Sequence, residues 1–171
     1  MEPLMKSRTL LVLATAALLS TSVLAQTKKT TRPTIEGVWR VVEVTGGPND
    51  IKNSNPQPAL YVFTRKHYGH VGTFGGPKPR PDLPDDLTKA SAAELLAVLG
   101  APFAASAGTY ELAPDTVTFR PIVAKLPRAM APGATIKSAY KLDRTTLMLT
   151  QISAPLGPVA KPFTFKLARV E

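Results

Sequence analysis

Residues 161–170 read KPFTFKLARV, and apolar side chains alternate with polar ones along this stretch. Phe163, Phe165 and Leu167 occupy positions of one parity, while the positions between them are polar. Successive side chains of a β-strand point to opposite faces, so the pattern predicts a strand with one apolar face. Such a strand needs neighbours that present apolar faces to the same interior, and the rest of the chain supplies them.

Other segments have the composition of short strands, rich in valine, isoleucine, threonine and aromatic residues. Turns and loops rich in glycine, proline, asparagine and aspartate separate them. Short strands at regular spacing indicate an antiparallel sandwich or barrel. The predicted strands are residues 35–44, 59–63, 67–74, 108–112, 116–125, 135–142, 145–152 and 161–170.

One helical insertion is predicted between the third and fourth strands. Residues 91–94 read SAAE, which fits a capping box because glutamate follows serine by three residues. Residues 92–99, AAELLAVL, are strong helix formers, and Gly100 and Pro102 end the helix. Its leucines must bury a face. The helix either forms a lid over one end of the strands or only packs against the core.

The N-terminus has the three parts of a signal peptide. Lys6 and Arg8 precede the apolar run LLVLATAALL, residues 10–19, and Ala25 ends a small-residue cleavage pattern. We expect residues 1–25 to be a cleavable signal peptide, residues 26–34 a flexible leader, and residues 35–171 the folded domain. The mature protein would then be secreted or periplasmic and have no transmembrane segment. The alternative is an uncleaved N-terminal anchor.

Charge and cysteine content exclude further classes. The formal net charge is +9, but the basic residues are scattered and form no stripe interleaved with aromatic residues. This distribution is typical of a solvated basic surface, so we expect no nucleic-acid partner. The chain has no cysteine, which excludes disulfides and a lipid-modified cysteine.

A resemblance to a known family narrows the fold. Gly37-Val38-Trp39 forms a G-x-W in the first strand, and several longer segments follow in a characteristic order. Together they resemble the lipocalin-like domain family, small secreted bacterial proteins, over about residues 36–171. The resemblance implies an all-β fold: an eight-stranded antiparallel up-and-down barrel with one short helical insertion. The supporting segments are NPQPALYVFTRKHY, KPRP, SAGTYEL, TVTFRPIVAK and YKLDRTTLMLT.

The resemblance also implies a barrel-closing pair. In lipocalins a tryptophan closes one end of the barrel, and a basic side chain from near the last strand covers it. Trp39 matches that tryptophan. Arg169 shares the parity of Phe163, Phe165 and Leu167, so we expect its guanidinium to lie over Trp39. The alternative is that Arg169 is a solvated terminal residue.

His67 and His70 are the only histidines of the chain. Three residues apart on a strand, they point to opposite faces and cannot chelate one ion. No third histidine or cysteine completes a zinc site, so we expect no metal and no cofactor. His67 is expected in solvent. His70 shares its parity with Tyr68 and Phe74, which predicts a polar group in the barrel interior or at its mouth.

Three functions remain open at this stage. The first is binding of a small apolar or amphipathic molecule inside the barrel. The second is a non-catalytic interaction or structural module of the cell envelope, with a barrel filled by its own side chains. The third is an enzyme, which would need His70 together with Glu43 or Tyr110; no catalytic residues are assigned. The predicted ligand-binding residues are Val41, His70, Tyr110, Phe119, Tyr140, Leu149, Phe163 and Phe165.

Three smaller expectations complete the set. Glu43 shares the parity of Trp39, so it could face inward with Arg40 or Arg120 as its partner. Ile122 and Val123 make both faces of their strand apolar, which suggests an outer cover from the helix or another chain. The KPRP segment, residues 78–81, is expected to form a rigid loop over one barrel end. The oligomeric state has no sequence signal.

Overall fold

The computed structural model describes residues 33–74, 79–100 and 103–171. Ten β-strands and one α-helix, α1 (Ala92–Leu99), form the regular structure of these residues, together with a short 3₁₀ helix at Pro127–Met130. The strands are β1 (Gly37–Gly46), β2 (Ile51–Asn53), β3 (Ala59–Phe63), β4 (His67–Thr73), β5 (Phe103–Leu112), β6 (Thr116–Ala124), β7 (Ile136–Leu142), β8 (Thr146–Ala154), β9 (Gly157–Pro158) and β10 (Phe163–Arg169).

The eight longer strands close into an antiparallel barrel. Their order around the sheet is β1-β3-β4-β5-β6-β7-β8-β10, and β10 pairs with both β8 and β1. The short strands only extend this sheet, since β2 pairs with β1 and β9 pairs with β8. The predicted eight-stranded up-and-down barrel with one helical insertion is therefore confirmed.

The two ends of the barrel differ in how the strands are connected. At one end, called the closed end here, tight turns at residues 64–66, 113–115 and 143–145 join neighbouring strands. At the other, the open end, the connections are long and include α1 and the 3₁₀ helix.

The centre of the core is Trp39, near the closed end. Trp39, Val117, Leu147 and Leu167 come from four different strands and are completely buried. Ile35, just before β1, is also buried, and its carbonyl accepts a 2.8 Å hydrogen bond from the Trp39 indole nitrogen. Each such side chain contributes about 1.5–3 kcal/mol through burial.

A β-bulge in β1 makes the expectation for Glu43 wrong. The pairing of β1 with β10 shifts register between Val41 and Glu43. One extra residue reverses which side chains face the interior beyond that point. Val44, opposite Phe165, is therefore buried at 1% exposure, while Glu43 lies opposite the exposed Lys166.

A second bulge, in β6, accounts for the adjacent apolar pair. Ala107 pairs with Val123 and Gly108 pairs with Pro121, which leaves Ile122 as the extra residue. Ile122 and Val123 are 68% and 59% exposed. The cover expected from the helix is therefore not found among the described residues.

The helix forms where the sequence predicts it. Ser91 Oγ accepts a hydrogen bond from the Glu94 amide at 3.3 Å, and Glu94 Oε2 accepts one from the Ser91 amide at 2.8 Å. This is the predicted capping box, and Gly100 ends the helix. Both ends of the helix are therefore set by local sequence signals.

The buried face of α1 is narrower than expected. Val98 is the one buried residue of the helix, whereas Leu96 and Leu99 are 66% and 49% exposed. The helix therefore contributes little to the core. Leu83 and Leu87, in the connection before it, are also exposed.

β5 begins at Phe103, five residues before the strand predicted from Gly108. Alanine has a low strand propensity, so Ala104 and Ala105 gave no signal. Pairing with β4 overrides that propensity, since each of the two residues lies opposite a β4 residue.

Several expectations lie outside the described residues. They are the signal peptide at residues 1–25, most of the leader at 26–34, and Lys78 of the KPRP segment. Within the described parts of the chain, none of the helices has the length and apolar character required to cross a membrane.

Candidate functional site at the open end of the barrel

A cluster of aromatic side chains lies at the open end. The ring centre of His70 is 4.9 Å from that of Tyr61 and 6.0 Å from that of Phe74. Phe74 lies 5.1 Å from Phe165, which lies 6.3 Å from Phe163. These distances are typical of favourable aromatic pairs. We call these five residues the open-end cluster.

The strands place the cluster through parity and register. Tyr61 on β3 lies opposite His70 on β4, and cross-strand partners share a face of the sheet. Phe163 and Phe165 lie on β10, which pairs with β1. Phe74 follows directly after β4 and bridges the two sides.

Exposure differs among the rings of the open-end cluster. Tyr61 is buried, whereas Phe74, Phe163 and Phe165 are only half-buried, although they pack against the core. The open end therefore presents apolar ring surface to solvent at the mouth of a barrel. Rings held in this way can cover an apolar molecule without a large rearrangement.

Small inward residues accompany the rings at the open end. Gly72 on β4 lies directly opposite Ala59 on β3, and a side-chain carbon at Gly72 would collide with Ala59. Two further small residues, Ser106 on β5 and Ser138 on β7, are also buried. Small side chains leave the rings of β3, β4 and β10 as the dominant surface here.

A hydrogen-bonded chain runs inward from His70. His70 Nδ1 lies 3.3 Å from Ser106 Oγ, which lies 3.0 Å from the Tyr68 hydroxyl. Ser106 and Tyr68 are buried at 7% and 4% exposure. The pairing satisfies these polar groups, which would otherwise be costly to bury.

Nε2, the second ring nitrogen of His70, takes no part in this chain of hydrogen bonds. It makes no hydrogen bond to the described residues, and among these residues no buried side-chain nitrogen or oxygen lacks a partner. With respect to the described residues, the Nε2 atom therefore keeps an unused hydrogen-bonding position. It can donate or accept one hydrogen bond, depending on the tautomer.

Burial keeps the cluster uncharged near neutral pH. Desolvation lowers the pKa of His70 to about 4, so the imidazole is neutral at pH 7. Desolvation also raises the pKa of Tyr61 and of Tyr68 above their ordinary value. A neutral aromatic site favours uncharged or apolar groups over ions.

The Ser106–His70 pair does not have the arrangement of a hydrolase. Among the described residues, the only hydrogen-bond partner of His70 is Ser106, so no carboxylate orients the imidazole as a general base. Ser106 is itself buried and bonded to Tyr68.

The closed end carries the expected tryptophan–arginine contact. The guanidinium carbon of Arg169 lies 4.1 Å from the centre of the Trp39 ring. The side chain also donates hydrogen bonds to the carbonyls of Glu36 at 2.8 Å and Arg144 at 3.0 Å. Arg169 therefore lies over Trp39, as the resemblance and its strand parity together implied.

The predicted ligand-binding residues fall into three groups. Val41, Phe119 and Leu149 are buried in the core. Tyr110 and Tyr140 lie at the closed end, where their hydroxyls bond to the carbonyls of the turn residues Thr64 and Ala113 at 2.8 and 3.2 Å. Only the third group belongs to the open-end cluster, and it consists of His70, Phe163 and Phe165.

The structure shows which face of the sheet each histidine and Glu43 occupies. His67 is exposed while His70 turns inward, so the two histidines point to opposite faces. Glu43 is on the outer face and cannot join His70. Arg120, its expected partner, instead forms a 3.2 Å ion pair with Glu111. In the described residues, His, Asp and Glu nowhere form a group of three that could hold a metal ion.

Three members of the site, Tyr61, Phe74 and Ser106, were not among the predicted ligand-binding residues. Ser106 lies in the part of β5 that was not predicted as a strand, so its parity could not be used. Tyr61 carried a usable signal, since it is the central residue of the alternating ALYVF segment. Its pairing with His70 depends on the β3–β4 hairpin register, which residues 64–66 set.

Comparison with models of known protein families gives no match for the chain, and comparison with curated proteins gives none either.

Proposed function

We propose that the protein binds a small apolar or amphipathic molecule at the open end of the barrel. The observation that carries this proposal is the half-buried ring surface of Phe74, Phe163 and Phe165 around a neutral His70. A ligand that covered these rings would gain about 25 cal/mol per Å² of apolar surface removed from water. The buried core beneath supplies a rigid floor.

His70 would orient the ligand. Its Nε2 has no partner among the described residues and can make one hydrogen bond, while Ser106 contacts the other ring nitrogen. Pockets for small molecules commonly combine apolar walls with a few polar groups that set orientation. A ligand with one hydroxyl, carbonyl or ether oxygen on an apolar body fits this combination.

The cellular setting is part of the proposal. The signal-peptide pattern of residues 1–25 and the resemblance to lipocalin-like proteins support an exported binding protein. The barrel fold is compatible with that role. Export would place the open end in contact with molecules outside the cytoplasm.

A non-catalytic interaction module is the second candidate. The observation in its favour is that Val41, Phe119 and Leu149 fill the barrel with protein side chains. The binding site proposed above therefore occupies the mouth of the barrel and not its depth. A ligand that required the whole interior would have to displace these side chains.

A titration with an uncharged hydrophobic dye tests the proposal. Phe74→Ala should weaken dye binding roughly 10-fold, because about 50 Å² of lost ring contact corresponds to about 1.3 kcal/mol. Leu112→Ala is the matched control, since Leu112 is 48% exposed and adjoins the closed-end turn at residues 113–115. Equal affinities of the two variants, or no binding by the native protein, would contradict the proposal.

A further inference from the structure

A groove lies on the outer face of the barrel, and its lining includes His70 and Ser106 as well as outward-facing residues of the same strands. It has a volume of about 390 Å³ and crosses β3, β4, β5 and β6. Its walls are Leu60, Val62 and Val71 on one side and Val123 on the other, each more than 40% exposed. We call it the outer groove.

The strand register explains why a groove forms here. Leu60 lies opposite Val71, which lies opposite Ala105, so one row across the sheet is entirely apolar. The next row contains Val62, Gly69, Ala107 and Val123. Small residues on β4 and β5 form the floor between branched side chains on β3 and β6. This face is therefore concave and apolar.

Two cations stand at one edge of the groove, around Phe103. Phe103 precedes Ala105 by two residues on the same face of β5. The Arg80 guanidinium carbon lies 4.8 Å from its ring centre and Lys125 Nζ lies 5.6 Å from it. Neither cation forms an ion pair within the described residues.

Lys125 is fixed in place by the main chain. Its Nζ donates hydrogen bonds to the carbonyls of Phe103, at 2.8 Å, and of Gly100. An ammonium group has three donors, so one remains for an anion. Lys125 also lines the groove. Its positive charge therefore stands at a defined point beside the apolar surface.

We propose that the outer groove binds a long-chain carboxylate as a single molecule, with its hydrocarbon chain on the apolar floor and its carboxylate at Lys125 and Arg80. This site is additional to the one proposed at the open end. The volume is within the range of about 300–1,000 Å³ that is typical of small-molecule sites. Attraction between the carboxylate and the cations Lys125 and Arg80 would fix the direction in which the ligand lies in the groove.

Larger occupants fit less well. Eleven residues line the groove, whereas a standard protein interface takes about 20–30 residues on each side. A second copy of the chain would bring like charges together, since the chain carries a net charge of +9. Residues 26–32 contain Lys28, Lys29 and Arg32, so that segment would also repel the basic rim.

The test is a titration of the purified protein with hexadecanoate below its micelle concentration, followed by native mass spectrometry and calorimetry. Binding of one molecule is expected at this site. Val71→Asp should weaken it at least about 10-fold, because a carboxylate in an apolar groove is unfavourable and repels the ligand. Leu156→Asp, on an exposed apolar residue outside the groove, should have little effect.

Charge reversal tests the anion contact. Arg80→Glu should weaken hexadecanoate binding several-fold, whereas Lys141→Glu, at an exposed cation on β7, which does not line the groove, should not. The uncharged hexadecan-1-ol should bind more weakly than hexadecanoate to the native protein. Val123→Asp provides a second groove variant if Val71→Asp does not fold, as judged by circular dichroism.

Four results would overturn this proposal. They are no hexadecanoate binding, equal affinity for hexadecan-1-ol, equal affinity of the groove and control variants, and binding only to vesicles that contain anionic lipid. If Phe74→Ala lost hexadecanoate binding while the groove variants kept it, the hydrocarbon chain of the ligand would lie at the open end. That result would reject the outer groove and leave the proposed function standing.

Discussion

The guanidinium of Arg169 stacks over the indole of Trp39 at 4.1 Å and also bonds to the main-chain carbonyls of Thr34, Glu36 and Arg144. One side chain thereby connects the last strand, the segment before β1 and the β7–β8 turn. The distances from guanidinium nitrogen to carbonyl oxygen are 2.5, 2.8 and 3.0 Å respectively. Arg169 therefore closes this end of the barrel.

Replacing Arg169 should destabilise the protein substantially. Arg169→Lys keeps the charge but loses the planar set of donors, and we expect a loss of about 2–4 kcal/mol in the free energy of unfolding. Urea unfolding followed by Trp39 fluorescence measures it. Arg40→Lys is the matched control, because Arg40 is exposed on a neighbouring strand. Similar urea midpoints for the two variants would contradict the claim that Arg169 stabilises the closed end of the barrel.

The buried imidazole of His70 should make stability depend on pH. Its pKa in the folded protein is about 4, below the value of about 6.5 in an unfolded chain. Between these values the unfolded state binds a proton that the folded state does not, so stability falls as the pH falls from about 6.5 to 4. The full effect is about 3 kcal/mol.

Two substitutions isolate this contribution. His70→Leu should flatten the dependence of the unfolding free energy between pH 6.5 and 4.5, whereas His67→Leu, at the exposed histidine, should leave it unchanged. Aspartates with lowered pKa values, such as Asp86 and Asp143, act mainly below this window. An identical slope in native protein and His70→Leu would contradict the assignment.

The bulge in β1 gives a test of side-chain direction. Val44→Ala should cost about 1–3 kcal/mol, because Val44 is buried and the substitution leaves a cavity. Glu43→Ala should change stability by less than about 0.5 kcal/mol, since Glu43 is on the outer face. Urea denaturation measures both. The reverse order of effects is what an unbulged strand would give.

The strands and the helix could be predicted because they depend on repeated local signals, whereas the choice of an up-and-down barrel over a sandwich came from the resemblance to lipocalin-like proteins. Alternation in KPFTFKLARV and its neighbours specifies one apolar face per strand, and the SAAE capping box specifies where α1 begins. Parity and the resemblance together placed Arg169 correctly, since β10 is regular up to its end. The strand and helix signals need only the side-chain period of a strand and the hydrogen bonding of a helix start.

The failures have a common physical origin. Glu43 and Ile122 lie at bulges, where one extra residue reverses the parity on which the predictions depended. Bulges arise from pairing with other strands, so the local sequence gave no sign of them. Ser106 was missed because the start of β5 is stabilised by pairing with β4 and not by strand propensity.

The outer groove could not be predicted from the sequence either. Leu60, Val71 and Ala105 are far apart in the chain and become neighbours only through the register of three strands. The sequence did contain one related signal, the adjacent apolar residues Ile122 and Val123. Their explanation by a bulge, and the exposure of the surrounding surface, required the structure.

The most direct test of the proposed function is to locate a bound ligand by nuclear magnetic resonance. With an uncharged hydrophobic dye bound to the native protein, we predict nuclear Overhauser contacts from the dye to the ring protons of Phe74 and Phe165. The Nε2 side of His70 should show a shift change, while Tyr110 and Tyr140 at the closed end should not. Dye contacts only outside the open-end cluster, or none to any aromatic ring, would contradict the account.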